Sequence, residues 1–136
     1  MNLDKNTIEN IKNFLLNNLE PYAIYLFGSS AKGIFREDSD IDIAFLSNKN
    51  TTDYELFMLA QELADIVKRD VDLINLENAS TVFKVQIIYN GEKIYCSDDT
   101  RVAYFEMYAF KDYATLNEER EVILKSIKKR GYIYEQ

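Results

Sequence analysis

The sequence contains no histidine, and this absence excludes several kinds of catalytic and metal site. A Ser-His-Asp triad, a Cys-His pair, a histidine general base and His-ligated zinc all need the missing residue. Cysteine is nearly absent as well. Cys96 is the single cysteine, so no internal disulfide can form, and the sequence fits a reducing compartment.

Long apolar runs and basic charge are also scarce. No run of about 18 apolar residues occurs, so we expect no membrane span, and residues 1–6 lack the pattern of a signal peptide. The 16 Lys and Arg residues against 23 Asp and Glu give a net charge of −7, which repels a phosphate backbone. We therefore expect a cytoplasmic protein that binds neither a membrane nor nucleic acid directly.

The 136 residues suffice for one folded domain with its own core. Apolar periodicity predicts helices over 7–19 and 53–68 and strands over 23–27, 40–46, 71–76 and 92–96. Residues 80–89 fit a short helix by position, although their β-branched content also allows a strand. Helix-prone sequence follows from 98 to about 130. This order predicts an α/β (α+β) fold, with a small mixed sheet, flanking helices and a C-terminal helical tail.

The most informative pattern is a pair of carboxylates in the second predicted strand. Strand periodicity puts Asp40 and Asp42 on one face, while Ile41 and Ile43 anchor the other face in the core. Two such carboxylates repel each other unless a cation lies between them. Asp72, in the next predicted strand, reaches the same site if the two strands are neighbours. Three converging carboxylates suit two Mg²⁺ ions, one activating a hydroxyl and the other holding a triphosphate.

A Gly-Ser turn precedes this strand and supplies groups that bind phosphate. At Gly28 the backbone can approach a phosphate closely, and exposed N–H groups and the Ser29 hydroxyl donate hydrogen bonds to it. Lys32 and Arg36 are further candidates, although a solvated loop charge explains each of them about equally well. A phosphate cradle beside a magnesium site matches nucleotidyl transfer. An EF-hand calcium loop does not fit, because Ile43 occupies the position that requires glycine.

Gly28-Ser29, followed after ten residues by Asp40 and Asp42 and later by Asp72, resembles the motif of the polymerase-beta nucleotidyltransferase superfamily. The fuller stretches 27–33 and 38–42 resemble the minimal nucleotidyltransferases (MNT). The resemblance implies a polymerase-beta-like nucleotidyltransferase domain over 1–136, with a catalytic core at about 7–96 and the helical tail at about 98–131.

The same resemblance implies a role for each motif residue. Asp40 and Asp42 would hold both metal ions, and Asp72 would hold the catalytic ion and take the proton of the acceptor. The nucleotide would be ATP, with its β- and γ-phosphates on Gly28 and Ser29, and Ser30 and Lys32 are further candidates for binding the nucleotide. The family often has Arg where this chain has Lys32. The pattern does not decide whether Tyr89 or Ile94 lines the base pocket.

MNT proteins are prokaryotic and are often paired with a HEPN-domain ribonuclease toxin, which they neutralise as antitoxins. The resemblance implies AMP transfer to a hydroxyl of that toxin, a tyrosine near its ribonuclease site, within a hetero-oligomer. Core packing explains most aromatic residues of the predicted helix at 104–113, and their spread over more than one face indicates that some also contact a partner. Two alternatives stay open. One is a small-molecule nucleotidyltransferase of the aminoglycoside-modifying type, and the other is a non-catalytic antitoxin that acts by binding alone.

Overall fold

A mixed four-stranded sheet forms the middle layer of the fold, and helices cover both of its faces. The computed structural model describes residues 3–28 and 40–129. The elements in chain order are α1 (Lys5–Leu19), β1 (Pro21–Phe27), β2 (Ile41–Ser47), α2 (Asp53–Val67), β3 (Val71–Asn75), a 3-10 turn (Leu76–Asn78), α3 (Thr81–Asn90), β4 (Glu92–Cys96) and α4 (Asp99–Lys129). The predicted α/β fold class is confirmed, and the ambiguous segment at 80–89 is a helix.

Each of the four described α-helices begins at a side chain that accepts a backbone hydrogen bond from the first helical turn, and at α4 this side chain is Asp98, which accepts from the N–H of Arg101. Asp4 caps α1 and Ser80 caps α3, each accepting from the N–H three residues further on. Thr52 and Glu55 form a reciprocal capping box at the start of α2. These bonds satisfy N–H groups that have no partner inside the helix, which explains why the helices begin at these residues.

The strands are arranged in the order β3-β2-β1-β4. The strand β1 pairs antiparallel with both β2 and β4, whereas β2 and β3 are parallel. A parallel pair needs a crossover connection, and α2 supplies it. The strands β3 and β4 therefore form the two edges of the sheet.

Alternate strand residues enter two apolar layers. One layer packs against α1 and α2 and includes Ile24, Leu26, Ile41 and Ile43. The other layer packs against α3 and α4 and includes Ala23, Tyr25, Ala44 and Leu46. Because strand side chains alternate, Phe27 and Asp42 lie on the face covered by α3 and α4. Among the helices of residues 3–28 and 40–129, none is apolar over a length sufficient to cross a membrane.

A polar contact ties β1 to α4. The Tyr25 hydroxyl donates to Glu106 Oε2 over 2.6 Å, and Lys93 Nζ on β4 lies 3.1 Å from the same oxygen. Burial and then the hydrogen bond to Glu106 raise the pKa of Tyr25, so this hydroxyl stays protonated and acts as the donor. The contact holds α4 against the strand that leads to Gly28.

We expect Tyr25→Phe to lower the free energy of unfolding by about 1 kcal/mol, because a hydrogen bond to a charged acceptor is lost while the ring stays in place. The midpoint of urea denaturation measures this change. Tyr108→Phe is the matched control, since that residue is 53% exposed and its midpoint should not move. An unchanged midpoint for Tyr25→Phe would mean that the contact adds no net stability.

Candidate active site

The carboxylates that the sequence predicts to bind metal lie where β2 and β3 begin. Asp42 and Asp72 are register partners across this parallel pair. The backbone N–H of Ile41 donates to the carbonyl of Asp70 over 2.8 Å, which holds the starts of the two strands together. Asp40 directly precedes β2 and is exposed, as is Asp72, whereas Asp42 is partly buried. The structure therefore makes Asp42 and Asp72 neighbours, with Asp40 at the entrance to the same strand.

Electrostatic repulsion among these side chains acts most clearly on Asp42. Burial, followed by the charges of Asp72 and Asp40, raises the pKa of Asp42 to about 6. Within residues 3–28 and 40–129, no three His, Cys, Asp or Glu side chains converge closely enough to form a ready-made metal site. Mutual repulsion keeps like charges apart, and a divalent cation between them reverses that force. The donor set consists of hard carboxylate oxygens, which fits Mg²⁺.

Gly28 directly follows β1 and lies against Asp42. Its φ of +67° belongs to the left-handed region, which L side chains rarely adopt. A Cβ added at Gly28 would overlap Asp42 Oδ2 and would lie 3.2 Å from Asp42 Cγ. Both the backbone conformation and the close approach therefore require glycine here. The absence of a side chain lets the Asp42 carboxylate approach the backbone of Gly28 closely.

The residues with predicted functions lie side by side on three neighbouring strands of the sheet. Gly28 lies at the end of β1, Asp42 lies in the neighbouring strand β2, and Asp72 lies in the edge strand β3. Gly28, the predicted phosphate contact, is therefore two strands away from Asp72, which is predicted to take the proton of the acceptor. The remaining predicted phosphate contacts lie outside the described residues: Ser29, Ser30, Lys32 and Arg36.

A groove of about 370 Å³ opens next to Gly28, between the end of β1 and α3. It is lined by Phe27, Gly28, Phe83, Gln86, Ile87 and Asn90. The rings of Phe27 and Phe83 meet edge to face, with their centroids 5.6 Å apart. Gln86 and Asn90 are exposed and lie one helical turn apart. The groove thus combines aromatic surface with two carboxamides, and none of its lining residues within 3–28 and 40–129 is charged.

The sequence pattern did not identify Phe83, Gln86 or Asn90 as site residues. A helix over 81–90 brings them to one face, whereas a strand over the same residues would separate them. The spacing of 83, 86, 87 and 90 is the helical signal that could have revealed the groove. Tyr89 is 78% exposed and is not among the lining residues. Ile94 packs against the layer under α1 and α2, on the opposite face of the sheet.

Comparison with known proteins places this geometry in a family. Residues 9–100 match the family described as polymerase beta, nucleotidyltransferase. Protein adenylyltransferase MntA of Shewanella oneidensis is 36% identical over 107 residues, which are 76% of this chain and 74% of that protein. The crystal structure of a toxin–antitoxin with AMP-PNP contains a chain of 32% identity and TM-score 0.78, with 89% of this chain and 98% of that chain covered.

A second solved structure, a rebuilt and re-refined one, contains tri-AMPylated Shewanella oneidensis HEPN toxin in complex with MNT antitoxin. Its matching chain has 29% identity and a TM-score of 0.76, with 93% of this chain and 99% of that chain covered. The fold and the resemblance seen in the motif are thereby confirmed. Because the family match spans more than half of the sequence, this chain belongs to the polymerase beta nucleotidyltransferase family.

Proposed function

We propose that this chain transfers AMP from Mg²⁺-bound ATP to a hydroxyl of a HEPN toxin and neutralises the toxin by this modification. The observation that carries the proposal is the pairing of Asp42 with Asp72 across β2 and β3, with Asp42 packed against Gly28. The similarity to protein adenylyltransferase MntA supports AMP transfer. The relative bound to a tri-AMPylated HEPN toxin supports a toxin as acceptor, and the relative with AMP-PNP supports ATP as substrate.

The three carboxylates have two proposed roles, which are metal binding and proton transfer. Asp40 and Asp42 are the proposed ligands of two Mg²⁺ ions, and Asp72 joins them at the ion nearer the acceptor. When bound, the ions offset the charge of the triphosphate and make the acceptor hydroxyl more acidic. Asp72 is the proposed proton acceptor, because it is exposed on an edge strand that a protein substrate can reach.

We assign the phosphates to the residues that begin at Gly28, two strands away from Asp72. Gly28 and Ser29 are the proposed contacts for the β- and γ-phosphates, and Ser30 and Lys32 are further proposed contacts of the nucleotide. In the reaction, the acceptor oxygen bonds to the α-phosphorus, and the bond from that phosphorus to the oxygen bridging to the β-phosphorus breaks. Pyrophosphate leaves, and the acceptor proton passes to the carboxylate of Asp72.

A protein acceptor is favoured by the surface of the chain. Its net charge of −7 opposes nucleic acid, whereas α4 exposes apolar side chains suited to protein contact. These are 44% to 67% exposed: Tyr104, Tyr108, Val122, Ile123, Leu124 and Ile127. Phe105, by contrast, packs against the layer under α3 and α4. We propose that the exposed side chains contact the toxin in a hetero-oligomer.

Labelled ATP tests the proposed function. The purified chain is incubated with Mg²⁺, the HEPN toxin from the same source cells, and ATP labelled on the α-phosphate. We expect label on the toxin and loss of its ribonuclease activity. ATP labelled on the γ-phosphate is the matched control and should leave the toxin unlabelled, because that phosphate departs in pyrophosphate.

Two results of this experiment would contradict the proposal. Label that appears on an added aminoglycoside and not on the toxin would favour a small-molecule nucleotidyltransferase. Loss of ribonuclease activity without any transfer of label would favour an antitoxin that acts by binding alone. One reaction mixture that contains the toxin, labelled ATP and an aminoglycoside therefore separates both alternatives from the proposed function.

A further inference from the structure

We propose that the acceptor protein adds an extended segment to the edge strand β3, and that this segment brings its hydroxyl to Asp72. This proposal rests on the proposed function, because it describes how the acceptor of the same reaction is bound. The binding groups are the backbone of β3 and a hollow beside it, and neither belongs to the Gly-Ser and aspartate motif.

The backbone of β3 directs hydrogen-bonding groups away from β2. The carbonyl of Asp70 faces β2, where it accepts from the N–H of Ile41 over 2.8 Å. Backbone groups alternate between the two sides of a strand, so Val71 and Leu73 direct their N–H and C=O groups outward. In the described part of the chain, β3 pairs with β2 only. An added strand would satisfy the outward groups, which is how extended peptides bind to sheet edges.

A hollow of about 270 Å³ at this edge offers apolar surface on both faces of the sheet. Leu56 and Leu73 line it on the face covered by α1 and α2. Ile74 and Phe83 line it on the face covered by α3 and α4. The side chains of a strand alternate between the two faces, so a strand added at this edge would place apolar side chains against both surfaces.

The register of β3 predicts the pattern of the bound segment. Asp72 and Ile74 share one face, and Leu73 between them lies on the other. A residue paired with Asp72 has its Cβ about 5 Å from the Cβ of Asp72, which brings a hydroxyl on that side chain near the carboxylate. The residue two positions away then meets Ile74 and Phe83. We therefore expect an extended segment in which one position separates the hydroxyl residue from an apolar residue.

The charges at this edge favour a basic segment of another protein. Asp70 and Asp72 are exposed, and Asp53 lines the hollow. These carboxylates attract Lys and Arg on a partner and repel acidic residues. Two copies of β3 placed edge to edge would bring the aspartates of both strands together, and like charges oppose such pairing. The segment that fits this edge therefore carries Lys or Arg near its hydroxyl residue and does not come from a second copy of this chain.

Amide hydrogen exchange, resolved by residue, tests the binding mode. The full chain is measured alone and with a saturating amount of the HEPN toxin from the same source cells, without ATP. In the free chain, the N–H groups of Val71 and Leu73 should exchange at least about tenfold faster than those of Asp72 and Ile74, which face β2. The toxin should slow Val71 and Leu73 by about tenfold or more and change the other two groups less.

Proline at position 71 provides a second test. Val71→Pro removes an outward N–H, and an edge strand tolerates proline where its N–H is not bonded within the sheet. Val71→Ala is the matched control, because it shortens the same side chain and keeps the N–H. We expect the KM for the toxin to be about tenfold higher in Val71→Pro than in Val71→Ala, with equal affinity for Mg²⁺-ATP. The melting temperature shows whether the proline variant is folded, and the exchange measurement does not depend on it.

The outcomes separate this binding mode from the proposed function. If the toxin binds and receives AMP while exchange at Val71 and Leu73 is unchanged, the acceptor binds elsewhere and the proposed function stands. Protection of these two groups in the free chain that increases with its concentration would assign the edge to a second copy and would also overturn the proposal. If the toxin receives no AMP, the proposed function fails, and any protection of β3 then reports a contact without transfer.

Discussion

Replacing Asp42 with asparagine is expected to lower the rate of AMP transfer by about a thousandfold. The carboxamide keeps the shape of the side chain but removes a charged oxygen from β2, the strand that lies between Gly28 and Asp72. Without that charge, the proposed metal ions lose a shared ligand, and the triphosphate loses its orientation toward the acceptor. Initial rates of transfer of α-labelled AMP to the HEPN toxin measure the effect.

The same substitution is expected to stabilise the fold in metal-free buffer. Burial and the charges of Asp72 and Asp40 raise the pKa of Asp42 to about 6, so at pH 7 the ionised form destabilises the folded state relative to the unfolded chain. After allowance for solvent screening, removing the charge is worth about 1 kcal/mol, or about 4 °C in melting temperature. The gain should disappear below about pH 4, where Asp42 is protonated in both states.

Asp70→Asn is the matched control for both effects. Asp70 is exposed, and its backbone carbonyl, not its side chain, accepts the bond from Ile41. Transfer rate and melting temperature should therefore stay at the wild-type values. Residual transfer above about a tenth of the wild-type rate in Asp42→Asn would contradict its assignment as a metal ligand. A lower melting temperature for Asp42→Asn would contradict the account based on burial and repulsion of the Asp42 charge.

Replacing Gly28 with alanine is expected to weaken Mg²⁺-ATP binding and AMP transfer by about a hundredfold and to destabilise the fold by about 2 kcal/mol. The backbone conformation at φ +67° penalises any Cβ, and the new methyl group would overlap Asp42 Oδ2. To relieve the overlap, either the turn or the carboxylate must move, and both belong to the proposed site. Equilibrium binding, transfer rates and urea denaturation measure the three effects.

A second background separates the two causes of this destabilisation. Asp42→Ala removes the oxygen that the new methyl group would meet but leaves the backbone conformation of Gly28 unchanged. In that background, Gly28→Ala should cost only about 1 kcal/mol, the penalty for a side chain in the left-handed region. An equal cost in both backgrounds would show that the close approach to Asp42 does not contribute.

Most of the fold could be predicted from the sequence because local patterns determine where its elements lie. Apolar periodicity predicted a helix from residue 7, and the observed α1 begins at Lys5 because Asp4 caps it. Residues 80–89 stayed ambiguous, since β-branched residues favour strands while the helix in question is short. The Ser80 cap and the packing of Ile87 on the sheet decide in favour of a helix. Such tertiary contacts cannot be derived from propensity alone.

The sequence allows a prediction of which residues belong to the candidate site, but not of how these residues are arranged. Spacing predicts Gly28 and Asp42 as site residues, because their motif is local and its chemistry is distinctive, and Asp72 is predicted as the carboxylate of the next strand. The pairing of Asp42 with Asp72 depends on the parallel register of two strands that α2 separates, and one sequence does not contain that register. The groove beside Gly28 brings together residues more than 50 positions apart, such as Phe27 and Phe83, which no local pattern connects.

During translation, the two strands that pair with β1 are made at different times. Its antiparallel partner β2 emerges soon after it, and β3 can then pair with β2, so that Asp42 and Asp72 meet once residue 75 has left the ribosome. The other edge of β1 stays without a strand until residues 92–96 have been made. A nascent chain that stops between β3 and β4 therefore lacks the strand that covers one edge of β1. Such an edge is a template for pairing with another chain, so newly made copies are most prone to associate in this interval.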